Sequence, residues 1–580
     1  MKVSGKKDLQ KLQKDGMASL FPDRIRIMVG MATCCLAKGS AEVMTALKDE
    51  IKKQGLKAEV VPVGCIGLCC QEPTIEVVQP GKPKITYGEM TPDKISSLVT
   101  CIARGTVDKQ SALYRTDKEE LLLTGTKHIF SKGAPAKEFK GLQEYAAMPF
   151  FKKQRKVALR NAGFIDPENI SEYIARGGYS ALVNTLATMK PEAVIAEVTK
   201  AGLRGRSGGG FPTGVKWQAC RRAEGKAKYF ICNVSEGDPG IGMHKSLLES
   251  DPHSVLEGMI IGAYAIGAKE GYIYISSGQP LGVRRMEKAV ADAKAYGFLG
   301  KNIMKSGFDF TVKVKEGAGA YVCGEETALI KSIEGDWGEP RQRPPYPAVS
   351  GLWGKPTVIN NVETLANVPV VMGKGAKWYS AIGSEKSKGT KVFSIVGEVN
   401  RPGLIEVPMG TTLREIIYDV GGGLPKGKTL KAVLAGGPAG GCVPKKLVNL
   451  PVDYEALMQA GSAMSSGGII VMGEDTCMVD MNKYLLSFTE GESCGKCTPC
   501  RVGVRRMREI ITDISEGKGR DGDVELLEKM ALLIKDSALC NLGKTAPNPV
   551  LATLRYFKEE YQAHIKNKKC SAAVCSSLKK

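Results

Sequence analysis

The chain has 580 residues, more than one hydrophobic core organises, so several domains are expected. Hydrophobic residues make up 43%, which marks a globular protein, and 82 Lys and Arg against 61 Asp and Glu leave a charge of +21 that favours acidic partners such as nucleotides, nucleic acid or an acidic redox protein. Aromatics at 6% are too few and scattered for a base-stacking surface, so the basic runs at 152–156 and 566–569 read as solvated or docking faces.

The opening MKVSGKKDLQ is charged and lacks an apolar insertion core, and no apolar run spans a bilayer. Seventeen cysteines in such a chain point to a reducing cytoplasm, where clustered thiols do metal or redox work. The first hundred residues predict a small α/β unit: a strand at 24–31, an amphipathic helix at 37–55, a strand at 57–64, and a hairpin from TIEVVQPG and KITYGEM. Cys34 and Cys35 fall at the first strand-to-helix turn. Cys65, Cys69 and Cys70 follow the second strand, where backbone N–H groups face a thiolate cluster well. Cys35 and Cys70 read equally as small buried apolar residues. Residues 106–145 are polar and irregular, the pattern of a linker wrapping over a neighbour. Regular structure resumes near residue 146, with an Asp166-Pro167 helix start and a buried helix around 256–268.

The run GLRGRSGGGFPTGVKW (202–217) combines glycines that let a backbone lie against a phosphate with Arg204, Arg206 and Lys216 to neutralise it. It matches neither the Walker pattern nor G-x-G-x-x-G, which argues against an ATPase or an ordinary dinucleotide fold. Residues 391–425 predict two short strands around a Pro-Gly turn, then a helix and a glycine-rich exit, and the last hundred residues predict a helical bundle. Within that bundle ESCGKCTPC carries Cys494, Cys497 and Cys500, and SALCNLG carries Cys540. Three thiolates in C-x2-C steps plus one remote thiolate suit a four-iron cluster. Structural zinc, the second reading, usually pairs two C-x2-C knuckles. Cys442, His564, Cys570 and Cys575 make a candidate Cys3His zinc set, against which free tail cysteines beside a surface histidine weigh evenly.

In this order, the Gly-rich run, YFICNVSEGDPG, EGAGAYVCGEETALIKSIEG, the NNVET run and the cysteine cluster resemble the NADH-oxidising flavoprotein subunit of complex I. They resemble more closely the β subunit of soluble electron-bifurcating NAD(P)-dependent iron–iron hydrogenases and related formate dehydrogenases. The likeness runs from about residue 146 to 575. It implies a multidomain α/β architecture: a thioredoxin-like 2Fe-2S ferredoxin-type domain at 1–105, a linker at 106–145, a Rossmann-like FMN- and NAD(P)H-binding domain at 146–385, a ubiquitin-like β-grasp (SLBB) domain at 386–470, a helical 4Fe-4S domain at 471–565 and a zinc-binding tail at 566–580.

The resemblance further implies that Gly205, Arg206, Gly208, Gly209, Lys216 and Asn233, with Asn360, Asn361 and Thr364, hold the FMN phosphate and ribityl chain. Phe211 would stack on the nucleotide, and Glu325 and Glu326 would meet the nicotinamide nucleotide beside Tyr321. Ser235, Glu236 and Gly324 complete the cofactor-binding set. Carboxylates suit ribose hydroxyls and repel a 2′-phosphate, although Glu325 and Glu326 also suit a helix start. Ser235 stands where the family has an acid, and His244 and Lys245 replace its Asp-Arg, changes that ease a 2′-phosphate and leave both NADH and NADPH open. No side chain is expected to act as catalytic acid or base, since the flavin does the hydride chemistry.

In the N-terminal domain Cys65 and Cys69 match the family's second cysteine pair. Cys35 matches the later member of the first pair, which leaves Gly30 at the other and Cys34 as the substitute. Without that substitution the domain is a docking module only. The resemblance favours zinc at Cys442, His564, Cys570 and Cys575. It also implies a thioredoxin-like 2Fe-2S subunit, a catalytic iron–iron hydrogenase or formate dehydrogenase subunit and ferredoxin as partners, with no nucleic acid and no direct membrane insertion. A C-terminal ferredoxin domain carried by many relatives is not expected before the final SSLKK. A complex I subunit and a flavin-free electron wire or assembly scaffold stand as alternatives.

Overall fold

A computed structural model describes residues 2–132, 136–240 and 242–578. Residues 133–135 of the expected linker and 579–580 of the expected tail lie outside that description.

The N-terminal unit is a five-stranded sheet of β1 (Ile25–Gly30), β2 (Ala58–Val63), β3 (Ile75–Val78), β4 (Lys84–Tyr87) and β5 (Ala112–Thr116), ordered β2-β1-β3-β4-β5. β1 and β2 run parallel across the helix Ser40–Lys53, which buries Val43, Leu47 and Ile51 at four-residue spacing against Ile27 and Val29. The hairpin β3–β4 is antiparallel, as its sequence suggests.

The segment expected to be an irregular linker differs. Residues Ala112–Thr116 add the edge strand β5 to β4, and β6 (Lys118–Leu121) and β7 (Thr126–Ile129) form a hairpin. In β6 polar side chains alternate with buried Glu119 and Leu121, a strand pattern hidden by its charge. The charged opening forms a helix, Lys6–Leu20, packed on Ile170–Ala175. Beside it Arg26 reaches both carboxylate oxygens of Glu172 at 2.8 Å, a fully buried fork that docks the N-terminal unit on the helix Ile170–Ala175. The expected helix after Asp166 starts later, where the Asn169 side chain accepts the Ser171 N–H at 3.1 Å, and it breaks into Ile170–Ala175 and Ser180–Thr188.

The central domain carries four parallel strands: β8 (Tyr229–Val234), β9 (Glu270–Ser276), β10 (Thr311–Gly317) and β11 (Thr357–Asn361). Their order is β10-β9-β8-β11, so the chain grows outward from β8 in one direction and then returns to its other side. That reversal opens a crevice at the carboxyl ends of β8 and β11. The helix Pro252–Ile266 is buried nearly all round and lies against Val362–Lys374, which explains its apolar, small-residue sequence.

Next comes a mixed sheet of β12 (Thr390–Gly397), β13 (Gly403–Pro408), β14 (Leu430–Ala435), β15 (Gly441–Pro444) and β16 (Gly468–Gly473), ordered β13-β12-β16-β14-β15. β16 is its central strand and runs past the expected boundary at 470. Helices Met478–Gly491, Arg505–Ser515, Asp523–Ser537, Asn548–Tyr556 and Lys558–Lys566 then pack around Val504, Met507, Ile511 and Leu527. No helix among the described residues is long and apolar enough to cross a membrane.

Candidate functional site

The crevice at the sheet switch point collects most of the expected binding residues. Asn361 and Asn233 are register partners at the ends of β11 and β8. The Asn233 amide donates to Gly324 O at 3.0 Å, and its carbonyl accepts the Ser235 N–H at 2.9 Å, which ties the β8 exit to the turn before the helix Glu326–Glu334. Asn360 accepts the Trp217 indole N–H at 2.7 Å, while Asn361 caps the next helix by accepting the Glu363 N–H at 2.9 Å. The Gly-rich loop lies beside this frame, since Thr364 Oγ1 accepts the Arg206 backbone N–H at 2.9 Å.

The loop is held rather than loose. Arg204 Nε donates to Gly210 O at 2.6 Å, and Tyr454 Oη donates to Gly205 O at 2.7 Å. Gly208 adopts φ 113°, and a Cβ there would lie 2.6 Å from Ser465 Cα, so only glycine fits where the loop meets the mixed-sheet domain. At Gly209 a Cβ would meet nothing within 4 Å, so this stretch of backbone is open to a ligand. Phe211 is 54% exposed at the end of the loop.

Arg206 departs from its expected phosphate role. Its guanidinium is fully buried and donates to Thr390 O, Arg204 O and Lys388 O at 3.0, 2.9 and 2.6 Å and to Tyr379 Oη at 3.0 Å. Every arm is committed, so only its backbone faces the loop's task. Lys216 pairs with Glu326 and donates to Ile359 O at 3.1 Å. Glu325 caps its own helix, accepting Thr327 N–H at 2.9 Å and Ala328 N–H at 3.0 Å. Glu236 likewise turns to backbone, accepting the N–H groups of His244 and Lys245 at 3.0 Å each. His244 is not the added cation its position suggested: burial pushes its imidazole down to about 3, so it sits neutral against Asn361.

Asp238 was not anticipated. It is 6% exposed, its Oδ1 lacks a partner, and burial pushes its carboxyl up to about 6 beside Tyr321 and Ser466. Its only sequence signal is the EGDPG turn after β8. An open glycine backbone, a ring of amides and one orphaned buried acceptor fit a hydroxylated, phosphorylated ligand such as FMN.

Cys494 and Cys497 lie in the loop after Met478–Gly491, Cys500 in the π-helical turn Pro499–Val504, and Cys540 caps Asn541–Thr545. Gly543, one turn beyond Cys540, lets the two segments meet: a Cβ there would lie 3.6 Å from Cys500 Sγ. Among the described residues, no three of these sulfurs fall within 4.8 Å of one another. The cluster loop touches the crevice directly, with Glu492 accepting the Tyr321 N–H at 2.8 Å and Lys496 bonding Glu339 at 3.0 Å.

Two tighter sets occur among the described residues. In the first, Cys34, Cys35 and Cys65 gather with Glu72, and Cys69 lies 3.7 Å from Cys65. A Cβ on Gly30 would lie 3.2 Å from Cys35 Sγ, so the missing family cysteine would have reached this site, and Cys34 and Glu72 occupy its surroundings instead. Glu72 accepts from Cys65 at 3.2 Å and is a donor the sequence did not single out.

The second set corrects the expected zinc ligands. Cys477, not Cys442, joins His564, Cys570 and Cys575, all buried. Cys477 Sγ lies 3.4 Å from His564 Nε2 and 3.8 Å from Cys575 Sγ, and His564 Nδ1 donates to Glu560 O at 2.7 Å, which leaves Nε2 free to ligate. Cys442 sits on β15, inside the sheet-to-helix core, with its sulfur 3.8 Å from Met481. Three thiols and one imidazole are the donor set of structural zinc.

Four family profiles match the chain. They are the thioredoxin-like 2Fe-2S ferredoxin over residues 21–103, the Nuo51 FMN-binding domain over 198–370, the SLBB domain over 392–443 and the NADH-ubiquinone oxidoreductase-F iron-sulfur binding region over 480–564. The chain is 53% identical over 433 residues to the NADP-reducing hydrogenase subunit HndC of Solidesulfovibrio fructosivorans, covering 75% of this chain and 88% of that protein. It is 43% identical over 427 residues to the F subunit of the NADH-quinone oxidoreductase of Aquifex aeolicus, covering 73% and 98%. Among solved structures it resembles a chain of an NAD+-reducing nickel–iron hydrogenase in the H2-reduced state, with TM-score 0.63 and 28% identity over 97% of this chain and 90% of that one.

Proposed function

Since the chain belongs to the family of NADH-binding FMN and iron–sulfur subunits found in complex I and NAD(P)-linked hydrogenases, we propose that it is the NAD(P)(H)-facing subunit of a soluble, cytoplasmic hydrogenase-type complex. When bound in the crevice, FMN would supply hydride exchange with NAD(P)(H) and single-electron exchange with the iron–sulfur sites. The protein's part is placement. Asn233, Asn360, Asn361 and Thr364 frame the crevice, the backbone at Gly209 faces the phosphate, and Phe211 covers the nucleotide. Cys494, Cys497, Cys500 and Cys540 hold the four-iron cluster, and Cys34, Cys35, Cys65 and Cys69, with Glu72 beside them, hold the two-iron one. The observation that carries this reading is the Glu492–Tyr321 contact, which fixes the cluster loop to the rim of the flavin crevice.

NADP(H) is the nucleotide we favour. Lys216 already pairs with Glu326, Arg343 stands 3.9 Å from both Glu325 and Glu326, and Glu325 spends its charge on a helix cap. The acids that would repel a 2′-phosphate are therefore largely offset. The 53% relative carries NADP in its name, which supports the same choice. Partners in this reading are a thioredoxin-like 2Fe-2S subunit, a catalytic iron–iron hydrogenase or formate dehydrogenase subunit and ferredoxin, with bifurcation between them. Anaerobic stopped-flow reduction of the FMN-loaded protein tests the core proposal. Bleaching of the flavin band by NADPH is expected. Bleaching by NADH alone removes the NADP preference, and bleaching by neither removes the oxidoreductase reading.

A further inference from the structure

A cavity of about 360 Å³ lies between the N-terminal sheet, the hairpin segment and the central domain, away from the flavin crevice. Its wall is strongly cationic. Lys84 and Arg176 are answered by Glu76 and Glu119, at 3.3 Å for Lys84–Glu76, but Lys156 and Arg160 in the wall have no carboxylate within ion-pair reach among the described residues. Arg160 is 4% exposed. Its Nη1 donates to Val157 O and Ala366 O at 3.0 Å each, yet Nε and Nη2 have no partner. Asp251 and Glu257 feel its field, but neither closes a pair with it. Lys156 Nζ uses one hydrogen on Ile66 O at 2.9 Å, and burial pushes its ammonium down to about 8. At the mouth Arg155 and Lys374 both lie over Trp378, at 5.1 and 5.9 Å from its ring. Lys118 and Glu120 also line the cavity.

A buried ammonium with unmet donors is costly unless an anion or water completes it, and the uncompensated charge of Arg160 behind it adds to the attraction for phosphate oxygens. We propose that this cavity is an anion site that takes the phosphate group of a small molecule, bound by Lys156 in the field of Arg160 and admitted past Arg155 and Lys374. It adjoins Ile66, which lies between Cys65 and Cys69, so its occupant would sit against the N-terminal cysteine loop.

Isothermal titration of FMN-loaded protein with inorganic phosphate, with the nucleotide crevice filled by NAD+, tests this. Saturable binding by the wild type is expected, weakened about tenfold, or ~1.4 kcal/mol, in Lys156→Met. The exposed double variant Arg155→Ser/Lys374→Ser leaves the core untouched and is expected to weaken binding as well. Absence of saturable binding by the wild type, or wild-type affinity in both variants, overturns the proposal.

Discussion

Replacing Lys391 by Met probes the join between the flavin domain and the mixed-sheet domain. Lys391 Nζ lies 2.5 Å from Glu363 with both side chains at 0% exposure, and it donates to Val392 O and Ser466 O at 2.7 Å each. Glu363 also accepts the Val392 N–H at 2.8 Å. Met preserves the length of the side chain but removes all three donors. One N–H remains to a carboxylate that water cannot reach, and breaking a buried pair in this way costs roughly 3–5 kcal/mol. The stranded carboxylate and the two lost ammonium–carbonyl hydrogen bonds both contribute to that loss. The double variant Lys391→Met/Glu363→Leu removes both charges and is expected to recover most of the loss. Guanidinium unfolding of FMN-loaded protein reads the effect, using the transition that releases flavin fluorescence because a multidomain chain unfolds in stages. A single-variant loss below about 1 kcal/mol, or a double variant no more stable than the single, refutes the reasoning.

Metal analysis of the purified protein should show zinc lost on Cys477→Ser and retained on Cys442→Ser; the opposite result would restore the sequence-based ligand set. Burial holds the His253 imidazole near 3, against ~6.5 unfolded. Its folded pKa is the lower one, so the unfolded state takes up the proton first and stability falls as pH drops from about 6.5 toward 3. At pH 5 this amounts to about 2 kcal/mol. Buried acids with raised pKa values, such as Asp238, work in the opposite direction, so the measurement is the difference in pH-stability curves between wild type and His253→Gln. A difference that stays flat between pH 7 and 4 contradicts the buried neutral state.

Local signals in the chain were readable where chemistry and periodicity coincide. The strands at 25–30 and 58–63, the helix at 40–53 and the hairpin β3–β4 follow directly from apolar spacing, and ESCGKCTPC announces its cluster by spacing alone. Apart from the charge-masked β6, the failures share one cause. Cys442 and Cys477 are both lone buried cysteines far from the tail, and only the fold decides that the start of Met478–Gly491, rather than β15, meets His564. Arg206 looked like a phosphate ligand because it sits among glycines, yet its guanidinium meets carbonyls that arrive from residues 388–390. The strand β5 was obscured because its partner β4 lies well upstream. Long-range partners are invisible to any window on the sequence.

Why these sites are tied by buried contacts, rather than hung on linkers, follows from their task. Passing single electrons between centres requires separations that do not fluctuate, and a flexible tether cannot supply them. The helix Met243–Ser250 shows the solution. Its first turn is capped by Glu236 at the edge of the flavin crevice, and near its end Glu249 accepts the Thr33 N–H at 2.8 Å, next to Cys34. Eight helical residues rise about 12 Å, which sets a fixed distance from the crevice to the N-terminal thiols. The second cysteine loop, after β2, is held from another domain, where Leu404 N donates to Gly67 O at 2.8 Å. The four-iron site has its own strut in Glu492–Tyr321. One crevice therefore carries two rigidly spaced cysteine sites on a single chain, and removing either strut would loosen a distance before it removed a ligand.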